Sequence, residues 1–153
     1  MNNTDVPNKN DRDPRHLARE YAFQFLYQCE MERIFHFSES HFTSFADHHQ
    51  IDPNIKAKAR QLGEFVLDDL ADIDRLLSEH AQHWSLERIA TIERSILRLA
   101  TAELKNATAP VKVIINEAIE LGKKFGTADS HKIINGIVNR IGHEISIKTQ
   151  KKT

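Results

Sequence analysis

The sequence is poor in the residues that interrupt helices. Five glycines and four prolines occur among its 153 residues, and the alternation of apolar and polar residues that marks a half-buried strand is almost absent. Apolar residues instead recur at three- and four-residue steps along nearly the whole chain, which is typical of helices that bury one face. We therefore expect an all-α protein.

Cysteine and long apolar runs are also scarce. The single cysteine, Cys29, cannot form an intramolecular disulfide, and its place in an apolar helical pattern predicts a buried, inert thiol. No apolar run approaches the roughly 20 residues of a membrane helix, and the opening residues, MNNTDVPNKNDRDPR, lack the apolar middle of a signal peptide. We expect a cytoplasmic protein with no membrane partner.

No charge of one sign dominates the chain. Lysine and arginine number 21 and aspartate and glutamate 22, for a formal net charge of -1. The chain as a whole does not attract nucleic acid, so any such site must come from local clustering. A chain of this length can bury about two-thirds of its unfolded surface in one core, but it has no room for a second catalytic domain.

Start and stop signals divide the chain into about seven helices. Asp13 and Asp52 each precede a proline, the arrangement of an N-cap followed by a first helical residue that needs no N–H donor. Ser85 is a candidate N-cap for a long central helix, and Gly126 follows a helix end. The expected helices span residues 14–34, 38–48, 53–71, a short stretch around 73–77, 86–104, 111–125 and 129–145. They form a single domain, residues 14–146, between a flexible segment, residues 1–13, and a frayed basic tail, residues 147–153.

The first helix has two kinds of apolar residue. At 100° per residue, one stripe faces the core and consists of Leu17, Ala18, Tyr21, Ala22, Phe25, Leu26 and Cys29. Phe23 and Tyr27 lie four residues apart on the side turned away from this stripe. Either a loop covers these two aromatics, or they form a surface for a partner protein.

A short basic cluster stands at the start of the same helix. Its members are Arg12, Arg15, His16 and Arg19. Unpaired backbone N–H groups at a helix start also favour anions, so phosphate is the natural ligand. Asp11, Asp13 and Glu20 intervene, however, and a solvated charged face is the alternative interpretation.

Nine histidines raise the question of a metal site. The best-spaced sets are His41 with His48 and His49, and His80 with His83. No cysteine pair or H-E-x-x-H motif accompanies them. The chain also lacks a G-x-S-x-G elbow and a phosphate-binding glycine loop. We expect no metal, no organic cofactor and no catalytic residue.

Three stretches of the chain resemble the NusB family of transcription antitermination proteins. The first is PRHLAREYAFQFLYQCE, at the start of the first helix. The second, residues 84–104, is WSLERIATIERSILRLATAEL, and the third, residues 109–141, is APVKVIINEAIELGKKFGTADSHKIINGIVNRI. The string N-E-A-I-E-L, K-x-F-G, D-S-H-K and N-G within the third stretch is long and specific, and the three stretches cover most of the chain.

The resemblance implies an all-helical fold of two small packed bundles and no enzymatic activity. It implies binding of single-stranded boxA-type RNA together with NusE, a small-subunit ribosomal protein, and action on the RNA polymerase elongation complex. The resemblance assigns RNA binding to two segments. The first is the arginine-rich start, here Arg15, His16 and Arg19 with Arg12 before them. The second consists of Asp129, Ser130, His131 and Lys132. The resemblance assigns the contact with NusE to Tyr27 and Glu93. Because Phe23 is expected to face outward beside Tyr27, we expect it on the same surface.

The sequence departs from the family pattern at three positions. His16 and Leu17 stand where many members have a denser run of arginines, which predicts weaker attraction to RNA. Ile133 stands where many have phenylalanine, which removes a stacking platform worth about 1–3 kcal/mol per base. Local chemistry also leaves alternatives open, because Asp129 or Ser130 could simply cap a helix and Glu93 could be an ordinary solvated or ion-paired helix residue.

Two other functions compete with this interpretation. One is a helical protein-interaction module with no RNA role. The other is a relationship to the NusB-like domains at the front of rRNA cytosine methyltransferases, but such an enzyme needs a cofactor-binding domain that these 153 residues do not contain.

Overall fold

The computed structural model describes residues 13–81 and 85–151, with side chains through residue 148. Within this part of the chain all regular structure is helical, which confirms the all-α prediction. The helices are α1 (Pro14–Glu32), α2 (Glu39–His48), α3 (Pro53–Leu67), α4 (Leu70–His80), α5 (Thr91–Asn106), α6 (Val111–Phe125) and α7 (Ser130–Lys151).

Helix α5 lies at the centre of the molecule. It packs against α1, α3, α4, α6 and α7, and Ile96, Leu97 and Leu99 on it are almost completely buried. On one side α1 packs on α3, and on the other α6 packs on α7. The two groups of helices share one continuous apolar core through α5.

Three helices begin where the sequence predicts. The carboxylate of Asp13 accepts a hydrogen bond from the Arg15 amide at 2.9 Å, and Asp52 accepts one from the Asn54 amide at the same distance. Ser38 caps α2 in the same way, with its hydroxyl accepting from an amide of the first turn. Each cap satisfies a backbone donor that has no partner inside the helix.

Two helices end earlier than predicted. α1 ends at Glu32 because Arg33 adopts a left-handed conformation, with φ of 60°, and its amide bonds back to the Cys29 and Glu30 carbonyls. This is a helix stop made by a residue other than glycine. The third helix, expected to span residues 53–71, ends at Leu67, and the fourth, expected around residues 73–77, already begins at Leu70.

The prediction that Ser85 caps the central helix is wrong. α5 begins at Thr91, and residues 86–89 form turns. The Arg94 guanidinium donates to the carbonyl oxygens of Leu86 and Ile89 at 3.0 and 2.8 Å. Because this side chain satisfies the carbonyls, the segment needs no helical hydrogen bonds to bury Ile89.

The last helix runs further than predicted. It continues to Lys151, so residues 147–151 are helical where we expected a frayed tail. Glu144 and Lys148 form an i,i+4 ion pair of 3.5 Å on this helix, and Ile145 packs against the core. Neither proline nor glycine occurs after Gly142 to stop the helix.

Aromatic side chains fill the space between α1 and α2. The Phe25 ring lies 5.1 Å from that of Phe42 and 5.4 Å from that of Phe45, measured between ring centres. Cys29 is buried near this cluster, and burial raises the pKa of its thiol to about 12. The thiol is therefore protonated at neutral pH, which confirms the expectation of a buried, inert cysteine.

The turn between α6 and α7 requires glycine at position 126. A Cβ atom there would lie 2.6 Å from Cβ of Ser130 and 2.7 Å from the Gly122 carbonyl oxygen. Contacts this short force the backbone or Ser130 to move. Gly126 thus allows the start of α7 to pack directly on the end of α6.

We predict that Gly126→Ala destabilises the protein by about 1–3 kcal/mol because of this overlap. Gly136→Ala is the matched control, since a Cβ at that helical position meets its nearest atom at 3.7 Å. The control should be neutral or stabilising by about 0.5–1 kcal/mol, because alanine favours a helix more than glycine does. Urea unfolding followed by circular dichroism measures both, and equal midpoints for the two variants would contradict the prediction.

Candidate functional site

The first turn of α1 carries an exposed arginine. Arg15 lies on the surface, and its nearest acid is Asp13, whose carboxylate is 3.9 Å from Arg15 Nε. A pair this loose and this exposed contributes little stability, so the guanidinium is accessible to an anion. Arg12, the first member of the predicted basic cluster, lies outside the described residues.

His16 is buried rather than exposed. It is 7% exposed, with Nδ1 2.7 Å from a Glu117 oxygen of α6 and Nε2 3.2 Å from a Glu20 oxygen of α1. Lys124 of α6 donates to the same Glu20 oxygen at 2.7 Å. His16 therefore joins α1 to α6, and the sequence-based picture of a donor facing solvent is wrong because it could not include the acids of α6.

Arg19 is also buried, at 5% exposure, although the helical wheel placed it along an exposed edge. Its Nε donates to both oxygens of Glu103 on α5 at 2.9 and 3.0 Å, and the Thr108 hydroxyl donates to Glu103 at 2.8 Å. Burial raises the pKa of Glu103, and Arg19 acts in the opposite direction. Arg19 is therefore occupied by Glu103 and is not a free donor to phosphate.

The turn before α7 connects to the start of α5. Ser130 is 1% exposed, and its hydroxyl accepts from the Thr127 amide and donates to a Glu93 oxygen, both at 2.8 Å. The Ser130 hydroxyl thus closes the turn and binds a carboxylate. Asp129 and Lys132 remain exposed, and they lie 3.8 Å apart as a loose pair. His131 is half-buried.

Glu93 is buried at 7% exposure, so the alternative of a solvated helix residue is wrong. The resemblance to the NusB family implies a partner-protein role for Glu93 and an RNA role for Ser130. The hydrogen bond between them shows that the two assigned surfaces meet inside the protein. No pattern in the sequence indicates this contact, because the two residues are 37 positions apart.

Helix α6 links the two segments assigned to RNA. Its residues Glu117 and Lys124 contact His16 and Glu20 near the start of α1. Its C-terminal end leads through Gly126 into the turn that begins α7. The start of α1 and the start of α7 therefore both adjoin α6.

Phe23 does not face solvent as predicted. It is 3% exposed, because Phe125 at the end of α6 covers it with a distance of 4.9 Å between ring centres. Tyr27, one turn further along α1, stays half-buried and lies 6.4 Å from Phe23 between ring centres. Of the two alternatives for this pair, burial under another segment holds for Phe23.

An apolar groove runs beside Tyr27. Its volume is about 540 Å³, and we call it the α1 groove. It is lined by Phe23, Gln24, Tyr27, Gln28, Met31, Glu32, Phe45, His49, Ile92 and Phe125. The lining residues of α2, α5 and α6 were not predicted from the sequence. Met31 follows Tyr27 by four residues, so helical spacing could have added it to the predicted pair of Phe23 and Tyr27.

Among residues 13–81 and 85–151, no three histidine, cysteine or acidic side chains are grouped so that they could hold a metal ion. In the same part of the chain, no helix combines the length and the apolar character needed to cross a bilayer.

The fold and site define a class of protein: an all-helical domain around a buried central helix, with a basic helix start, a serine-closed turn and an apolar groove adjoining α6. Comparison with known sequences then identifies the family. The NusB family model matches residues 16–143, and the chain belongs to this family.

Individual relatives agree with the family match. Transcription antitermination protein NusB of Thermodesulfovibrio yellowstonii is 38% identical over 139 residues, covering 85% of this chain and 92% of the relative. The protein of the same name from Geobacillus kaustophilus is 41% identical over 129 residues, covering 83% and 94%. These alignments span nearly the whole length of both proteins.

Solved structures show the same fold. NusB of T. maritima superimposes with a TM-score of 0.77 at 34% identity, covering 92% of this chain and 99% of that one. A crystal structure of the antitermination factors NusB and NusE in complex with double-stranded RNA matches with a TM-score of 0.76 at 23% identity, covering 86% and 97%. At that identity the second match shows the fold alone.

We predict that Arg19→Ala destabilises the protein by about 3–5 kcal/mol, because it leaves the buried Glu103 carboxylate without its cation. Arg15→Ala, four residues earlier and exposed, should change stability by less than about 0.5 kcal/mol. Urea unfolding at pH 7 tests the pair. Similar stabilities for the two variants would show that the Arg19–Glu103 pair does not hold α1 on α5.

Proposed function

We propose that this chain is a cytoplasmic transcription antitermination factor that binds single-stranded boxA-type RNA together with NusE and acts on the RNA polymerase elongation complex. It serves as an adaptor and catalyses no reaction. The curated relatives carry the name of an antitermination protein. The observation that carries the proposal is the junction at the end of α6, where the α1 groove adjoins the turn that begins α7.

The RNA side of the proposal rests on exposed cations beside buried ones. Arg15 and Lys132 are exposed and reach phosphate directly, while His16 and Arg19 are held by acids of other helices and set the position of α1. Because the net charge of the chain is -1, affinity for RNA alone should be modest. A partner protein that also binds RNA would supply the missing affinity.

The NusE side rests on the α1 groove. Tyr27 is half-buried in it, so the ring offers both an apolar face and a hydroxyl to a partner, as tyrosines at protein interfaces do. Ile92, which also lines the groove, directly precedes Glu93. Glu93 acts from inside, because it holds Ser130 and with it the turn beside the groove.

The two ligands should therefore bind cooperatively. Phe125 lines the groove and is separated from the Ser130 turn by only a few residues of chain. NusE seated in the groove would lie next to the RNA segment at residues 129–132, so one RNA strand could contact both proteins. Coupling then requires no conformational switch, and each ligand must strengthen the binding of the other by the same factor.

We predict that saturating NusE increases RNA affinity about five- to 150-fold, the range of typical coupling free energies. Tyr27→Ala should abolish this increase and leave the weak binary RNA complex unchanged, because, of the two ligands, Tyr27 contacts NusE and not RNA. Phe35→Ala is the control, since Phe35 is an exposed aromatic outside the groove. RNA titrations by fluorescence anisotropy, with and without NusE, measure the RNA affinities of the wild type and of both variants.

Equal RNA affinities with and without NusE for the wild type would refute the cooperative adaptor. Loss of binary RNA binding in a folded Tyr27→Ala variant would show instead that the tyrosine contacts RNA. Circular dichroism of each variant establishes that it is folded.

A further inference from the structure

A second, smaller cavity lies between α1 and α3. Its volume is about 120 Å³, and we call it the α1–α3 cavity. The lining residues are Arg15, Ala18, Arg19, Lys58, Gln61, Leu62, Glu103 and Thr108. Three of these side chains are cationic, and they come from two helices.

The acid in this cavity is already engaged. Glu103 is 3% exposed and accepts from Arg19 and from the Thr108 hydroxyl. It forms the floor of the cavity, while the exposed side chains of Arg15, Lys58 and Gln61 form the rim. The part that a ligand meets first therefore carries positive charge and an amide donor.

Lys58 differs from Arg60, another cation of α3. Arg60 on the same helix is held by Glu39 and Glu64 and covers the Phe37 ring at 4.9 Å. Lys58 is exposed at the edge that faces α1, and within the described residues no acid pairs with it. Glu103 neutralises Arg19, so Arg15 and Lys58 carry the positive charge of the rim, and two like charges beside one small cavity favour an anion between them.

We propose that the α1–α3 cavity is a phosphate-binding subsite, in which Arg15, Lys58 and Gln61 take one phosphodiester of a bound RNA strand. This inference rests on the proposed RNA-binding function and extends the RNA surface from α1 onto α3. The ligand is a phosphate group because the rim has donors and positive charge but no aromatic ring on which a base could stack. The subsite contributes affinity without reading the RNA sequence.

Lys58→Gln tests the subsite, with Lys56→Gln as the matched control. Lys56 lies on the same helix and the substitution removes the same charge, but Lys56 does not line the cavity. Both variants are titrated with boxA-type RNA and with a scrambled RNA of equal length, at several salt concentrations and with saturating NusE. Each titration gives an affinity and the slope of its logarithm against the logarithm of salt concentration.

Loss of one phosphate contact should reduce the salt slope of Lys58→Gln by about 0.7, the value for a single strand. Its affinity for both RNAs should fall by the same factor, and Lys56→Gln should keep the wild-type slope. Equal slopes for the two variants would overturn the subsite, as would weaker binding of the boxA-type RNA alone, which indicates a base contact. Failure of the wild type to bind RNA would refute the proposed function itself and is recognised before any variant is compared.

Discussion

The burial of α5 is the constraint on which the rest of the structure depends. Because other helices surround α5, its carboxylates cannot be solvated and must find partners inside the protein. Glu103 near one end binds Arg19 of α1, and Glu93 near the other end binds Ser130 of α7. Each pair fixes the start of another helix, and these two helix starts are the segments assigned to RNA.

This arrangement bears on the proposed RNA-binding surface, because it withdraws cations from the exterior. Several basic residues that appear free in the sequence are used internally: Arg19 holds Glu103, and Arg94 and Arg98 hold Glu30. These three arginines are therefore not available to phosphate. The α1 groove, with its half-buried Tyr27, supplies a place for a second protein, and the proposed adaptor obtains from that partner the affinity that its own surface lacks.

The sequence points to the segments of the candidate site, but it does not show the surroundings of the residues in them. Tyr27 and the turn at residues 129–132 lie where a site can form. Phe23, by contrast, is covered by Phe125, which is 102 residues away in the sequence, and His16 is enclosed by Glu117 of α6. A helical wheel describes one helix at a time, so it cannot show which neighbour covers a residue that lies outside the main apolar stripe.

By itself, the sequence determined the all-helical class, most of the helix limits and the segments that resemble the NusB family, because helical periodicity and N-caps depend on residues within a few positions of one another. Only the tertiary structure decided that Arg19 and Glu93 are buried, that Ser130 binds Glu93, and that Lys58 joins Arg15 at a common cavity. These contacts connect helices that are distant in the sequence. They depend on how the helices pack around α5, and local patterns carry no record of that packing.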